Sequence, residues 1–203
     1  MALFDSMLAA FKSGGENRAQ LSQGLWSNWQ PAFEVSVASR HFEYCSAVHT
    51  GFLANPIAQR AVCIVAEGAG QAPAASINAS LNQLVATTSA GQSLVETLAA
   101  HILLHGNGYA QIIKDAAGQP TEIFALRPDR VKVIADETGW PCAYEYKVEN
   151  SVSVIPVLDE DGWPNIFQIK AMHPLEDHYG AGALAAAHSA ITNHNLASEW
   201  NRT

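Results

Sequence analysis

Apolar residues follow a helical spacing from residue 55 onward. Asn55-Pro56 predicts a helix start, because Asn is a good N-cap and Pro is preferred at the first helical position. The spacing persists through Ile57, Ala61, Ile64 and Val65 until Gly68 and Gly70, which predict the end of this helix.

A second helix is predicted from Ser89 to Gly106. Gln92 follows Ser89 by three residues, which is the spacing of a capping box. The apolar stripe of this helix is formed by Leu94, Leu98, Ile102 and either Val95 or Leu103. Gly106 then stands where a C-terminal glycine is favoured.

Beyond Tyr109 the apolar period changes to two, which predicts strands. The predicted strands are residues 109–114, 121–126, 131–135, 143–148, 152–157 and 166–170. Residues 115–118 and 136–139 predict turns between them. A last helix is predicted from about Gly182 to Trp200. The fold class is therefore α+β, with helices flanking an antiparallel β meander.

The last helix meets no Gly or Pro stop signal, which predicts that the natural chain continues past Thr203. We accordingly divide the sequence into an N-terminal arm (residues 1–54), an α+β domain (55–181) and the start of a long helix (182–203).

The predicted arm carries two kinds of apolar pattern. Residues 2–12 have the spacing of a short amphipathic helix, which ends at a flexible Ser13-Gly14-Gly15, and residues 33–37 alternate like a strand. Aromatic residues in an otherwise loose segment indicate a subunit interface or, alternatively, a segment folded back on its own domain. These aromatic residues are Trp26, Trp29, Phe33, Phe42 and Tyr44.

Composition limits the possible functions. Of 203 residues, 48% are hydrophobic and 15% charged, which is typical of a packed globular protein. Eleven basic against 19 acidic residues give a net charge of −8, the opposite of what gripping nucleic acid requires. Cys45, Cys63 and Cys142 are widely spaced and indicate free thiols. With neither a signal peptide nor a membrane-length apolar run, we expect a soluble intracellular protein.

Several patterns suggest chemistry but lack a necessary part. Gly106-Asn107-Gly108 follows a helix and precedes a strand, whereas a phosphate loop precedes its helix. His101 and His105 have zinc-ligand spacing, but Ile102 stands where a zincin has Glu. Residues 159–162 begin like a calcium loop without its alternating ligands and closing Glu. No G-x-S-x-G motif is present.

We therefore expect no catalytic, metal or cofactor-binding residues. Two alternatives stay open: a small metal-assisted enzyme using His173, Asp177 and His178, and a monomeric binding module. The chemistry for the first is that two imidazoles and two carboxylates fall within residues 173–178.

Three stretches of the chain resemble the portal proteins of long-tailed phages, prophages and gene transfer agents. Residues 55–66 resemble the family's early helix. Residues 103–110, 115–120 and 126–131 resemble its ordered G-N-x-Y-A, D-x-x-G and L-x-P-x-x-V motifs. Residues 173–180 are similar to its P-x-D-x-x-Y-G-x-S-x-L segment. The sequence departs from the family at residues 84–89, where L-x-x-P-N-P is usual, and at Gly182-Ala183, where a small residue plus Ser is more common.

The resemblance implies the N-terminal wing portion of a portal subunit, ahead of the stem, clip and crown. Portal proteins form dodecameric rings at one capsid vertex, where they are part of the virion after assembly in the bacterial cytoplasm. The implied partners are the terminase large subunit, the major capsid protein, the head–tail adaptor and double-stranded DNA passing through the ring, with no membrane. The implied functions are capsid assembly, DNA packaging and head–tail joining.

Overall fold

The computed structural model describes residues 45–73, 76–86, 88–89 and 92–202. The helix predicted over residues 2–12, the strand over 33–37 and all five interface aromatics (Trp26, Trp29, Phe33, Phe42 and Tyr44) lie outside these residues. The boundary predicted at residue 54 stays a prediction. Just before residue 54, the π-helical turn His49–Leu53 packs against the last helix, where Gly51 faces Leu184.

The described residues confirm the α+β class, with helices before and after antiparallel strands. The helices are α1 (Pro56–Gly70), α2 (Ala79–Ala86), α3 (Leu94–His105) and α4 (Ala183–Trp200), with a 3-10 turn at Pro128–Arg130. The strands are β1 (Thr88–Ser89), β2 (Gln92–Ser93), β3 (Asn107–Lys114), β4 (Pro120–Leu126), β5 (Val131–Ala135), β6 (Pro141–Val148), β7 (Ser151–Pro156) and β8 (Ile166–Lys170).

Helix α1 begins where Asn55-Pro56 predicts. The Asn55 side-chain oxygen accepts hydrogen bonds from Ile57 N at 3.1 Å and Ala58 N at 2.9 Å. Its Nδ2 donates to Asn195 Oδ1 at 2.7 Å. Because Asn55 is buried and its amide is shared in this way, the cap of α1 also ties this helix to α4.

The predicted start of the second helix is wrong. Ser89 and Gln92 do not form a capping box; they pair with each other in the β1–β2 ladder, and the helix begins only at Leu94. In the ladder the same backbone groups form strand hydrogen bonds instead of helix bonds, and the spacing of Ser89 and Gln92 does not distinguish between the two. Helix α2 was not predicted, although Leu81, Leu84 and Val85 have helical spacing; the helix is short and buries none of its residues.

Six strands form two antiparallel sheets that join at Asn165. The sheet orders are β4-β3-β8 and β5-β6-β7. Asn165 O accepts from Ile112 N at 2.7 Å, and Asn165 N donates to Val157 O at 2.9 Å. The two sheets therefore meet just beyond the ends of β7 and β8, where Leu158 and Pro164 also form an isolated bridge. The predicted meander is confirmed for β3-β4 and for β5-β6-β7, but the pairing of β8 with β3 was not predicted.

The main hydrophobic core takes one buried residue from each of the six strands. These residues are Tyr109, Leu126, Val131, Tyr144, Ile155 and Ile166. The rings of Tyr109 and Tyr144 meet edge to face with centroids 5.5 Å apart. Burying each large apolar side chain contributes about 1.5–3 kcal/mol. A second cluster of Leu94, Leu98 and Ala110 fixes α3 on the sheet.

One turn motif, D-x-x-G-x-P, occurs three times, at residues 115–120, 136–141 and 159–164. In each turn the Asp Oδ1 accepts from the backbone N–H groups two and four residues later. In each, the glycine has a positive φ of 77°, 87° or 80°. Residues 159–162, which begin like a calcium loop in sequence, thus form a turn in which Asp159 bonds the backbone.

The three turns lie at one end of the sheets, which we call the turn end. Ile112 N, near the end of β3, donates to Asn165 O, which follows the third turn. Val157 N, which precedes the third turn, donates at 3.0 Å to Cys142 O, which follows the second turn. The third turn therefore lies beside both of the others. The Lys114 ammonium also forms an ion pair with Asp159, which joins the first turn to the third.

Among the described helices, none combines the length and apolarity that crossing a bilayer requires.

Candidate functional site

The most elaborate arrangement of polar groups lies where α4 leaves the sheet, and we call it the α4 base. It consists of residues 104–109, 168–171 and 178–182. Gly106 ends α3 with a φ of 84°, and its N–H donates to Ile102 O at 2.8 Å. Gly106 is thus the predicted C-terminal glycine of this helix. Its carbonyl accepts from Ala171 N at 2.8 Å.

Glycines at the α4 base allow two backbone segments to touch. A Cβ at Gly106 would lie 2.7 Å from Ala181 C and closer still to Gly180 O. A Cβ at Gly182 would lie 2.7 Å from Leu104 O. The chain entering α4 therefore packs directly on the end of α3, at a separation that a side chain would prevent.

Asn107 holds these segments together from inside. The residue is fully buried. Its Oδ1 accepts from Gln168 Nε2 at 2.9 Å and from Gly180 N at 2.8 Å, and its Nδ2 lies 3.2 Å from His105 Nδ1. One amide therefore links α3, β8 and the segment before α4, with no partner missing on its acceptor side.

Gln168 extends the network towards the core. Its Nε2 also donates to His178 O at 2.8 Å and to the Tyr109 hydroxyl at 3.2 Å. Burial raises the pKa of Tyr109, and nearby Tyr179 and Tyr144 add to the rise. Burial likewise raises the pKa of Tyr144. These hydroxyls stay protonated near neutral pH and act as hydrogen-bonding groups.

His101 lies one turn before the α4 base. Its Nδ1 is buried and has no hydrogen-bond partner. Burial lowers the pKa of His101 to about 4, although Asp129 opposes the shift and Arg127 adds to it. The imidazole is therefore neutral at pH 7. His105, four residues later, instead approaches Asn107.

The polar residues 173–178 form the segment that leads into α4. His173 Nδ1 accepts from Leu175 N at 3.2 Å, and the carbonyls of Asp177 and His178 accept from Lys170 and Gln168. In the described part of the chain, no three His, Cys, Asp or Glu side chains are grouped to hold a metal ion. The segment serves through its backbone, as the approach to α4.

A groove of about 440 Å³ separates α1, α3 and α4, and its walls are almost wholly apolar. Ile57, Val65, Leu103, Leu184 and Ile191 are among the lining residues. The described lining includes polar Asn55 and His194 but no carboxylate or nucleophile, so it offers no acid–base pair for catalysis.

Sequence reasoning missed Asn107 and Gln168, the two residues on which the α4 base depends. Asn107 entered the sequence analysis as part of a phosphate-loop pattern and of the G-N-x-Y-A motif, and Gln168 as part of a strand, and neither was given a structural role. The available signal was the occurrence of an amide between two glycines at a strand start, where an apolar residue is usual.

Comparison with known proteins places the same residues in one family. A model of the phage portal protein family matches residues 51–203. Two proteins described as uncharacterized, from Rickettsia bellii and Rickettsia felis, are 25% and 24% identical over 161 residues. Each alignment covers 73% of this chain and 41% of the relative.

Solved structures of gene transfer agent particles contain similar chains. A chain from the virion of the native particle is 34% identical with a TM-score of 0.69, and the match covers 79% of this chain and 44% of that chain. One from the neck of the empty particle, computed with C6 symmetry, is 33% identical with a TM-score of 0.70, covering 79% and 45%. The chain spans less than half the length of these relatives.

Proposed function

Because this chain belongs to the phage portal protein family, we propose that it is a structural subunit of a portal ring in a phage or gene transfer agent particle. The observation that carries the proposal is the 34% identity to a chain of a native gene transfer agent virion, with the fold retained over 79% of this chain. The ring forms the channel through which DNA enters and leaves at one capsid vertex.

The ring role assigns a mechanical task to the described residues. The six strands share one core, so they form a wing that resists deformation as a unit. The α4 base sets the direction in which α4 leaves that wing. A net charge of −8 suits a subunit past which DNA slides without sticking.

The proposed partners follow from the ring role. They are the terminase large subunit during packaging, the major capsid protein around the ring, the head–tail adaptor and the double-stranded DNA that passes through. The proposed location is the capsid vertex of a particle assembled in the cytoplasm of a bacterial host. The protein is structural in this role and catalyses no reaction.

The assembly state of the complete protein tests the proposal. Purified complete protein, imaged as single particles and weighed by native mass spectrometry, is expected to form a dodecameric ring, in keeping with the neck computed with C12 symmetry. A protein that stays monomeric at micromolar concentration is instead a binding module, and that result contradicts the ring proposal.

We further propose that the aromatic residues of the arm contact neighbouring subunits in this ring. They are Trp26, Trp29, Phe33, Phe42 and Tyr44. Deleting residues 1–50 from the complete protein should then reduce the ringed fraction. Rings that assemble unchanged after this deletion, at the same protein concentration, contradict the proposed contact while leaving the ring itself intact.

A further inference from the structure

Two tryptophans at the turn end are exposed although the molecule has a core available for apolar residues. Trp140 is 74% exposed and Trp163 is 68% exposed. Leu158 between them in the sequence is 53% exposed. Large apolar side chains that stand together in water are typical of protein contact surfaces.

The two tryptophans occupy corresponding positions in the fold. Val157 N donates to Cys142 O, and Val157 O accepts from Asn165 N, so the strands of Cys142 and Asn165 flank the same residue. Trp140 and Trp163 each stand two residues before those positions. The register therefore places them at the same end of the sheet, on either side of the strand that ends near Leu158.

The first turn shows that the turn motif itself does not require tryptophan. Residues 115–120 have the same hydrogen bonds, with Asp115 Oδ1 accepting from Gln119 N at 2.9 Å, against 3.0 Å for Trp140 N on Asp136 and 2.7 Å for Trp163 N on Asp159. At the position of the two tryptophans this turn has Gln119. The turn therefore folds without tryptophan at this position, so its folding does not explain the presence of Trp140 and Trp163.

The same comparison holds for charge. The two tryptophan-bearing turns contain five carboxylates and no Lys or Arg, whereas the first turn contains only Asp115. The five are Asp136, Glu137, Asp159, Glu160 and Asp161. Asp136 and Asp159 accept the turn hydrogen bonds, and Asp159 is also paired with Lys114, so the remaining three have no part in that pattern. Their charge repels phosphates and attracts cationic side chains.

We propose that the turn end docks a segment of another protein that carries arginine or lysine beside apolar residues. The cations lie on the faces of Trp140 and Trp163, an arrangement that is favourable for Arg in particular. The outward carboxylates steer this basic segment and discriminate against DNA. This surface goes beyond the ring role, because it assigns the turn end a partner of stated chemistry.

Synthetic peptides test the proposal on the 203-residue chain. The probe is a fluorescein-labelled peptide of alternating arginine and leucine, titrated at 0.15 M salt and read by anisotropy. We expect saturable binding of one peptide per chain, with no binding of the same peptide carrying glutamate in place of arginine. A 20-base-pair DNA duplex that binds better than the arginine peptide overturns the proposal.

The matched variants copy the first turn. Trp140→Gln with Trp163→Gln installs the residue that already stands at this position in residues 115–120, so folding is retained, and an unchanged urea midpoint checks this. We expect the peptide affinity to fall at least tenfold. Trp200→Gln, which changes an exposed tryptophan on α4, should leave the affinity unchanged. Equal losses in both proteins, or no loss in the double variant, contradict the proposed surface.

The carboxylates are tested separately. Glu137→Gln, Glu160→Gln and Asp161→Asn together should weaken peptide binding severalfold at 0.05 M salt and have a smaller effect at 0.5 M, because screening removes the attraction. An affinity that does not depend on these charges at low salt overturns the assignment of a basic partner.

Discussion

The α4 base and the turn end use glycine in the same backbone conformation for opposite purposes. Gly106 and Gly118 have φ values of 84° and 77°. Around Gly106 the neighbouring backbone leaves no space for a side chain, whereas a Cβ at Gly118 would meet nothing within 4 Å. The first glycine lets two distant segments touch, and the second only reverses the chain.

Polar side chains show the same contrast. The amide of Asn107 is fully buried and joins segments more than 60 residues apart in sequence. The carboxylate of Asp136 is exposed and bonds only residues of its own turn. The α4 base therefore depends on bonds between distant segments, whereas the Asp–backbone bonds of each turn are local and leave its outward positions free for binding.

The largest expected effect separates the two glycines. Gly106→Ala should lower the free energy of unfolding by about 2–5 kcal/mol, because left-handed strain of about 1–2 kcal/mol adds to about 1–3 kcal/mol of overpacking against the Gly180 backbone. Gly118→Ala bears the strain alone and should cost about 1–2 kcal/mol. Urea unfolding followed by circular dichroism measures both. Equal losses would show that close approach at the α4 base contributes nothing.

The next effect concerns the buried amide. Asn107→Ala leaves Gly180 N without its acceptor and removes one of the three acceptors of Gln168 Nε2, and we expect a loss of about 1–3 kcal/mol in the free energy of unfolding. Gln119→Ala at the turn end is the exposed control and should change it by less than about 0.5 kcal/mol. An Asn107→Ala protein as stable as this control in the same urea titration contradicts the role of the network.

The smallest expected effect is a pH dependence of the free energy of unfolding, caused by the burial of His101 on α3. The pKa of His101 falls from 6.5 to about 4 on folding. The unfolded chain then binds more protons between these values, so stability is intact above pH 6.5 and declines as the pH falls towards 4. At the turn end, hydrogen bonds from Thr138 and then Trp140 lower the pKa of Asp136, which stays charged over the same range.

His101→Leu should therefore flatten the decline of the unfolding free energy between pH 7 and pH 5 by about 2 kcal/mol. The comparison is with His188→Leu, which changes an exposed histidine of α4 and should leave the slope unaltered. If both variants follow the slope of the unmodified protein, burial of His101 does not govern its acid response.

The turn end was largely predictable from sequence because its determinants are local. Asp, Gly and Pro at fixed offsets specify each turn, and the alternating residues beside them specify the strands. Ser89 and Gln92 show the limit of the same reasoning. Their spacing fits a helix cap and a strand ladder equally, and only the surrounding packing decides between the two.

The α4 base could not be predicted in this way. It requires β8 to return to β3, a pairing across about 60 residues that no local pattern encodes. Gly180 and Asn107 each look like loop residues when read alone. Their structural role depends on the hydrogen bond between them. Both residues lie within the motifs that resemble the portal family, but those motifs do not show the bond.

The fixation of α4 has a mechanical consequence. Gly182 lies against the end of α3, Asn55 holds the middle of the helix through Asn195, and Gly180 N is bonded to Asn107. A helix that is held at two points along its length is restrained in orientation as well as in position. A sideways force on the far end of α4 would therefore be transmitted as a torque to the end of α3 and to the start of β3, where these contacts are made.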